Sequence, residues 1–342
     1  MNHHQRIAVL DGLRGFSIFL VLIGHFLQFN PEFQIQNDFG GVGVLFFFVL
    51  SGYLITELLC REYEQFRKIN FYAFYLRRVF RILPALLCFL IFLSFLVFFG
   101  KVTDVAWYNV IIHLLFLRNI FGRGISDAHL WSLALEEQFY LIWPFVFSWF
   151  YKFNLMKVTL GIFLTIIFWR MCGIYFQIYP YESGKFYFRS DFRMDSLLAG
   201  CLLALFFRKF KKKLSNPSSL WGFGLLFSLM LWTWFGYLNI NLRFCYLTIQ
   251  TFLVIGVVGS LILNQSKGIS RLFNLVLFQS LGKLSYSCYL WQQLFFVTQE
   301  PNWGQVRSMP WNLLILLGIS LISYFLIEKP FLVSAINRFH KK

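Results

Sequence analysis

Residues 10–26 read LDGLRGFSIFLVLIGHF. The run is apolar enough to belong in a membrane, yet it carries Asp11, Arg14 and His25. Ionisable groups inside a span are costly, and those that occur face the bundle interior, where they pair or act. A helix turns about 100° per residue, so the eleven steps from Arg14 to His25 return to within about 20° of the same direction. Asp11 lies within about 60° of both. The three groups therefore share one stripe, which reads as a bundle-facing surface of a first span over 7–29. His25 lies about 16 Å along the axis from Arg14, past the midplane if the helix starts on the inner side. The bland alternative is a structural pair at the helix start and a hydrogen-bonded packing histidine. The shared stripe in a chain with so few charges favours a site, in which His25, the side chain best suited to proton transfer near neutral pH, is the base.

The rest of the chain has the same character. Of 342 residues, 58% are hydrophobic and 21% aromatic, while 13% are charged; a soluble domain carries about 25% charged residues. Apolar segments recur near 7–29, 41–59, 82–100, 130–150, 155–178, 195–207, 219–238, 244–263, 281–298 and 311–331. A crossing needs about 20 residues, so a further segment at 106–118 is too short to cross comfortably, but 195–207 is short as well, and length alone does not choose between them. The chain reads as all-α: one integral-membrane helical bundle over 1–342, with about ten transmembrane helices. The net charge of +16 raises nucleic acid as a partner, but the charge follows topology instead. Arg61, Arg67, Lys68, Arg77, Arg78 and Arg81 mark one basic loop, and Arg208, Lys209, Lys211, Lys212 and Lys213 another. Both are cytoplasmic by the positive-inside rule, so an even number of crossings separates them. Ten crossings with N and C termini cytoplasmic satisfy this and leave 106–118 along the outer surface. Six cysteines occur without a CxxC pair; they read as apolar packing residues, with no disulfide framework and no metal site.

Three further groups carry chemistry. Arg77, Arg78 and Arg81 fall at i, i+1 and i+4 of a helix before the third span, a spacing that suits phosphate, whether of a bound ligand or of lipid headgroups. Glu136 and Glu137 lie two turns into a span and point about 100° apart, so at most one faces the centre well. A buried carboxylate needs a partner, and Arg170, alone in mid-membrane, is the expected one. Arg193 and Asp195 stand at the outer mouth of a span, either to bind acceptor hydroxyls or simply as a solvated helix start.

These residues sit in motifs that resemble, in order and over nearly the whole chain, those of the membrane acyltransferase 3 family. An arginine followed after ten residues by a histidine in the first span resembles the family's signature. LFFFVLSGYLIT with Ser51, FYLRRVFRILPAL with Arg78 and Arg81, HLWSLALEEQFYLIWP from His129 to Pro144, FRMDSLLAG, LGKLSYSCYLW and IEKPF resemble the motifs that follow. The resemblance implies transfer of an acyl group, most often acetyl, from cytoplasmic acyl-CoA to a hydroxyl on an extracytoplasmic glycan such as lipopolysaccharide O-antigen or exopolysaccharide, free or lipid-linked. The protein is then a multi-pass enzyme of the bacterial inner membrane in stand-alone form. By the same match His25 is the base, with Arg14, Asp11 and Glu136 at the catalytic centre. Arg77, Arg78, Arg81 and Ser51 serve the donor, with an acyl-enzyme on His25 or Ser51 as a further option. Glu137, Arg170, Arg193 and Asp195 serve the acceptor. One position departs: the family usually follows YLW with a histidine, and here Gln292 stands in YLWQQ, a residue that hydrogen-bonds but does not titrate. The rival class, a transporter or flippase for a lipid-linked sugar, would show Gly- or Pro-interrupted helices in two related halves, and the sequence has none. Single cysteines introduced in 119–128 should react with an impermeant thiol reagent from the outer side; labelling only from the cytoplasm would move 106–118 into the membrane and overturn the ten-span topology.

Overall fold

The computed structural model describes residues 8–30, 34–122, 124–178, 185–210, 220–238, 245–265, 267–297, 303, 306 and 308–339. Among these the chain is helical throughout, with no strand. The long helices are α1 (Ala8–Phe29), α2 (Phe39–Phe66) and α3 (Phe71–Phe98). Short α4 (Asn109–Leu114) and α5 (Arg118–Phe121) precede α6 (Leu130–Phe150) and α7 (Leu155–Tyr175). Short α8 (Lys185–Phe188) and α9 (Ser190–Arg193) lead into α10 (Asp195–Phe210), α11 (Trp221–Leu238) and α12 (Tyr246–Leu263). The last are α13 (Ser270–Phe273), α14 (Val276–Phe296), α15 (Trp311–Ser323), a π turn (Tyr324–Glu328) and α16 (Lys329–Phe339).

Every one of the ten apolar segments is a helix, but they are not equal. Six among the described residues are long and apolar enough to cross a membrane on length and composition: α1, α2, α3, α7, α12 and the run Trp311–Ser334. That makes the chain a multi-pass membrane protein. The other four segments fall short. Glu136 and Glu137 dilute α6, Lys283, Gln292 and Gln293 dilute α14, α10 has 16 residues, and the apolar helix Trp221–Gly236 is also short. Segment 106–118 contains only the six-residue α4, about 9 Å long, too short to span.

Two backbone seams hold the bundle. Side chains at Gly12, Gly15 and Gly282 would overlap the facing backbone, because α1 touches α13 and α14 there: Gly12 lies against Phe273 at the end of α13, Gly15 against Phe278 of α14, and Gly282 of α14 against Asp11 and Gly15. Small residues permit such approach in lipid, where packing rather than water exclusion holds helices together. Gly52 and Gly200 form the same kind of seam between α2 and α10. At the end of this second seam Arg208 Nε donates to Glu57 at 2.8 Å, and Arg208 also meets Glu64 at 2.5 Å. Arg208 of the second basic segment therefore lies beside the end of α2, where the first basic segment begins, while Lys211, Lys212 and Lys213 lie outside the described residues.

At the other end, residues 101–128 fold into a cap organised by two carboxylates. Asp127, fully buried, accepts from Asn109 Nδ2 and His113 Nε2, both at 2.9 Å, and from Arg118 Nε and Nη2 at 3.1 and 2.8 Å. Asp104 accepts from the backbone N–H groups of Ile125 and Ser126. Burial alone would raise the Asp127 carboxyl, but the His113 and Asn109 hydrogen bonds and the Arg118 charge outweigh it and hold it below its ordinary value. Its contribution is thus complete above the ordinary carboxylate range and is lost as pH falls through the lowered folded value. Asp127→Asn strands Arg118 without its counter-charge. Breaking a buried pair in this way costs about 3–5 kcal/mol. The thermal midpoint of the purified protein in detergent should drop at neutral pH, and the gap to wild type should narrow in strong acid. An unchanged neutral midpoint would remove Asp127 as the organiser of the cap.

Candidate functional site

The α1–α14 seam decides where His25 goes. The two helices run in the same direction, and ten residues beyond Gly15 and Gly282 His25 meets Gln292: Nδ1 lies 2.7 Å from Oε1. The polarity of that bond follows from a chain of amides. The Ile125 carbonyl only accepts, so the Gln293 amide nitrogen faces it at 2.6 Å and the Gln293 oxygen faces back. Gln292 Nε2 donates to that oxygen at 3.3 Å, which turns Gln292 Oε1 toward His25. Nδ1 must therefore carry the hydrogen, and Nε2 of the neutral ring keeps its lone pair. The position that departs from the family pattern is thus the residue that orients His25. On the other edge of the ring a Cβ at Gly40, which begins the first turn of α2, would stand 3.5 Å from Nε2, in ordinary contact. The glycine keeps that approach free of side chain.

About 16 Å back along α1 lies a cluster of opposite charges. Arg14 stands 3.9 Å from Asp11, as the stripe predicts. Arg14, Arg78 and Arg81 all act electrostatically on Glu136. Glu136 accepts from Ser51 Oγ at 3.2 Å and from the Tyr140 hydroxyl at 3.3 Å. The Arg78 guanidinium lies over the Tyr140 ring, 4.1 Å from its centroid. Arg77 turns away, toward Glu62 at 3.9 Å, so the cluster holds two of the three arginines of its motif. Both adjacent glutamates reach the interior, where at most one was expected to face the centre: Glu136 is hydrogen-bonded, and Glu137 leaves Oε1 buried with no partner among the described residues. Glu328 joins from the far end of the chain. The π turn widens the helix before Pro330, which cannot complete an α-helical ladder, and carries Glu328 inward to accept from Ser287 Oγ and to act on Arg81.

Two expectations fail here. Arg170 does not partner Glu136. It donates to Asp195 Oδ2 at 2.9 Å, to the Phe192 carbonyl at 2.7 Å and to Thr248 Oγ1 at 2.7 Å. Asp195 Oδ2 is thereby taken by Arg170. Arg193 and Asp195 are not a solvated helix start either: both are buried, at 1% and 0% exposure. The reason is tertiary, since α7 and α12 cover the start of α10 and supply the ion-pair partner and Thr248. Arg193 faces a third polar group at the start of α2. There Asp38 accepts from the Tyr187 hydroxyl at 2.7 Å, the Tyr246 hydroxyl at 3.0 Å and Gln250 Nε2 at 3.3 Å.

Asp38, Tyr187, Tyr246, Gln250, Gln293 and Glu328 are the site residues that sequence reasoning missed. Gln250 and Glu328 did leave a signal, as polar groups in otherwise apolar helices. Asp38 and Tyr187 left none, since a loop acid and a loop tyrosine are unremarkable until the fold joins them.

A family model described as an acyltransferase domain matches residues 7–329. A Bacillus subtilis (strain 168) protein, YrhL, provisionally named a peptidoglycan O-acetyltransferase, is 28% identical over 372 aligned positions, covering 100% of this chain and 57% of that protein. The O-acetyltransferase OatA of Staphylococcus aureus (strain NCTC 8325 / PS 47) is 29% identical over 355, covering 94% of this chain and 56% of that protein. The chain therefore spans little more than half the length of these relatives. No solved structure matches it significantly.

Proposed function

The chain belongs to the acyltransferase 3 family, and from that premise we propose that it is an O-acyltransferase of the cytoplasmic membrane, moving an acetyl group from acyl-CoA to a hydroxyl of a glycan outside the cytoplasm. The observation that carries the reading is the His25–Gln292 pair, which leaves a bare imidazole nitrogen deep in the bundle beside a glycine. The name of the Bacillus relative favours a cell-wall glycan over lipopolysaccharide or exopolysaccharide as acceptor.

In this reading the donor enters from the end that holds the basic segments. Arg78 and Arg81 take its phosphates, for which planar guanidinium groups supply paired donors, and Arg14 receives the arm that leads toward His25. His25 Nε2 removes the proton from the acceptor hydroxyl as that oxygen bonds to the thioester carbonyl. The carbon–sulfur bond breaks, the coenzyme A thiolate takes up the proton, and the glycan leaves as its ester. Gln292 holds Nδ1–H throughout, so the imidazolium formed in passing keeps a hydrogen-bond acceptor. Ser51 and Glu136, hydrogen-bonded to each other, stand beside these arginines at the donor level.

General-base assistance is worth about 10²–10⁴-fold in rate, so His25→Gln should reduce acetyl transfer in membranes by that order while acyl-CoA binding persists. Near-normal transfer by this variant would remove His25 as the base and pass the role to Glu136. Arg78→Ala and Arg81→Ala should each weaken acyl-CoA binding by about tenfold or more, the worth of a charged hydrogen bond. Lysine should restore little, because it lacks the planar pair of donors and, at 78, the stacking on Tyr140. Normal coenzyme A binding by the double lysine variant would reduce the pair to a lipid anchor.

A further inference from the structure

We propose that the group around Asp38 and Arg193 is the acceptor subsite, and that it takes a neutral, N-acetylated sugar ring; this rests on the acyltransferase reading above. Arg193 is 1% exposed, yet its Nε and Nη1 have no hydrogen-bond partner among the described residues. Leaving charged donors buried and unsatisfied is costly, and in a membrane interior such a group marks a ligand path. Asp195 is no answer to the vacancy, because Arg170 holds it. Asp38 acts on Arg193 electrostatically, so the two charges offset each other. An anionic ligand would meet the carboxylate, whereas a neutral one supplying carbonyl or hydroxyl oxygens meets the free N–H groups without adding charge. An acetamido carbonyl is the strongest neutral acceptor a sugar offers.

The surroundings fit a sugar. The rings of Trp131, Tyr187 and Phe188 form a three-sided aromatic cluster with centroids 5.2–5.7 Å apart, and the Arg193 guanidinium lies over the Tyr187 ring at 5.0 Å. Such rings offer apolar faces to the C–H surface of a pyranose, while the Tyr187, Tyr246 and Gln250 polar groups fix Asp38. The placement beside His25 is given by two consecutive glycines. A side chain at Gly41 would overlap the Tyr187 hydroxyl and Asp38, and one at Gly40 would touch His25 Nε2. The base and the Tyr187–Asp38 pair thus flank consecutive residues of α2, so a ring held at Arg193 lies on the side of α2 that adjoins His25.

The test measures binding of chitotetraose, the β-1,4 tetramer of N-acetylglucosamine, to the full chain in detergent, with acetyl-CoA binding measured alongside. Wild type and His25→Gln should bind the tetramer equally, since binding does not need the base. Arg193→Gln should bind it about tenfold more weakly with acetyl-CoA binding unchanged. An oligogalacturonate should bind more weakly than chitotetraose. Should Arg193→Gln also lose acetyl-CoA binding, Tyr187→Phe decides: it keeps the ring, removes the hydroxyl that orients Asp38, and should still weaken the tetramer. No tetramer binding by wild type, unchanged binding by Arg193→Gln or by a deciding Tyr187→Phe, or a preference for the oligogalacturonate overturns the proposal. Loss of transfer in His25→Gln with tetramer binding lost in Arg193→Gln keeps the two readings separately supported.

Discussion

The contact on which the rest depends is the glycine-lined approach of α1 to α14. Gly15 on one helix and Gly282 on the other bring the two backbones together, an approach that any larger side chain would prevent. Because the helices run in the same direction from this contact, residues equally far beyond it stay level. His25 and Gln292 are each ten residues on. A change of register by one residue would turn Gln292 about 100° away and leave the imidazole with no defined tautomer. The seam is therefore as much a part of the site as the histidine.

Buried charge is distributed over the molecule with few loose ends, as a low-dielectric interior requires. Arg170 is satisfied by Asp195, Phe192 and Thr248 and Arg118 by Asp127 and Gly124, while the part-exposed Arg208 pairs with Glu57 and Glu64. These pairs join helices and fix the cap. Spare capacity remains at Glu137 and Arg193, one at each of the two polar levels. The cap connects to the histidine level twice. Ile125 ends the amide chain that orients His25, and Asn119 donates to Ser190 at the start of α9, the helix that ends in Arg193. Cap folding and site geometry are thus mechanically one problem.

The sequence by itself determined the helical membrane class, the stripe that joins Asp11, Arg14 and His25, and the family order of motifs. Those features are local: they follow from apolar run lengths, the 100° helical step and residue identity along one chain. Partner choice was decided only by the tertiary structure. The sequence could show that Glu136 and Arg170 both needed a partner. It could not show that Arg170 would find Asp195, because the two lie on different helices whose register is set by packing. Exposure of Arg193 and Asp195 was likewise undecided until α7 and α12 covered them. Gln292 is the sharpest case: in the sequence it is a family histidine lost, while in the fold its amide oxygen is the acceptor that leaves His25 Nε2 bare. A hydrogen bond across 267 residues has no trace in local pattern, since its existence depends on where two glycine-faced helices touch.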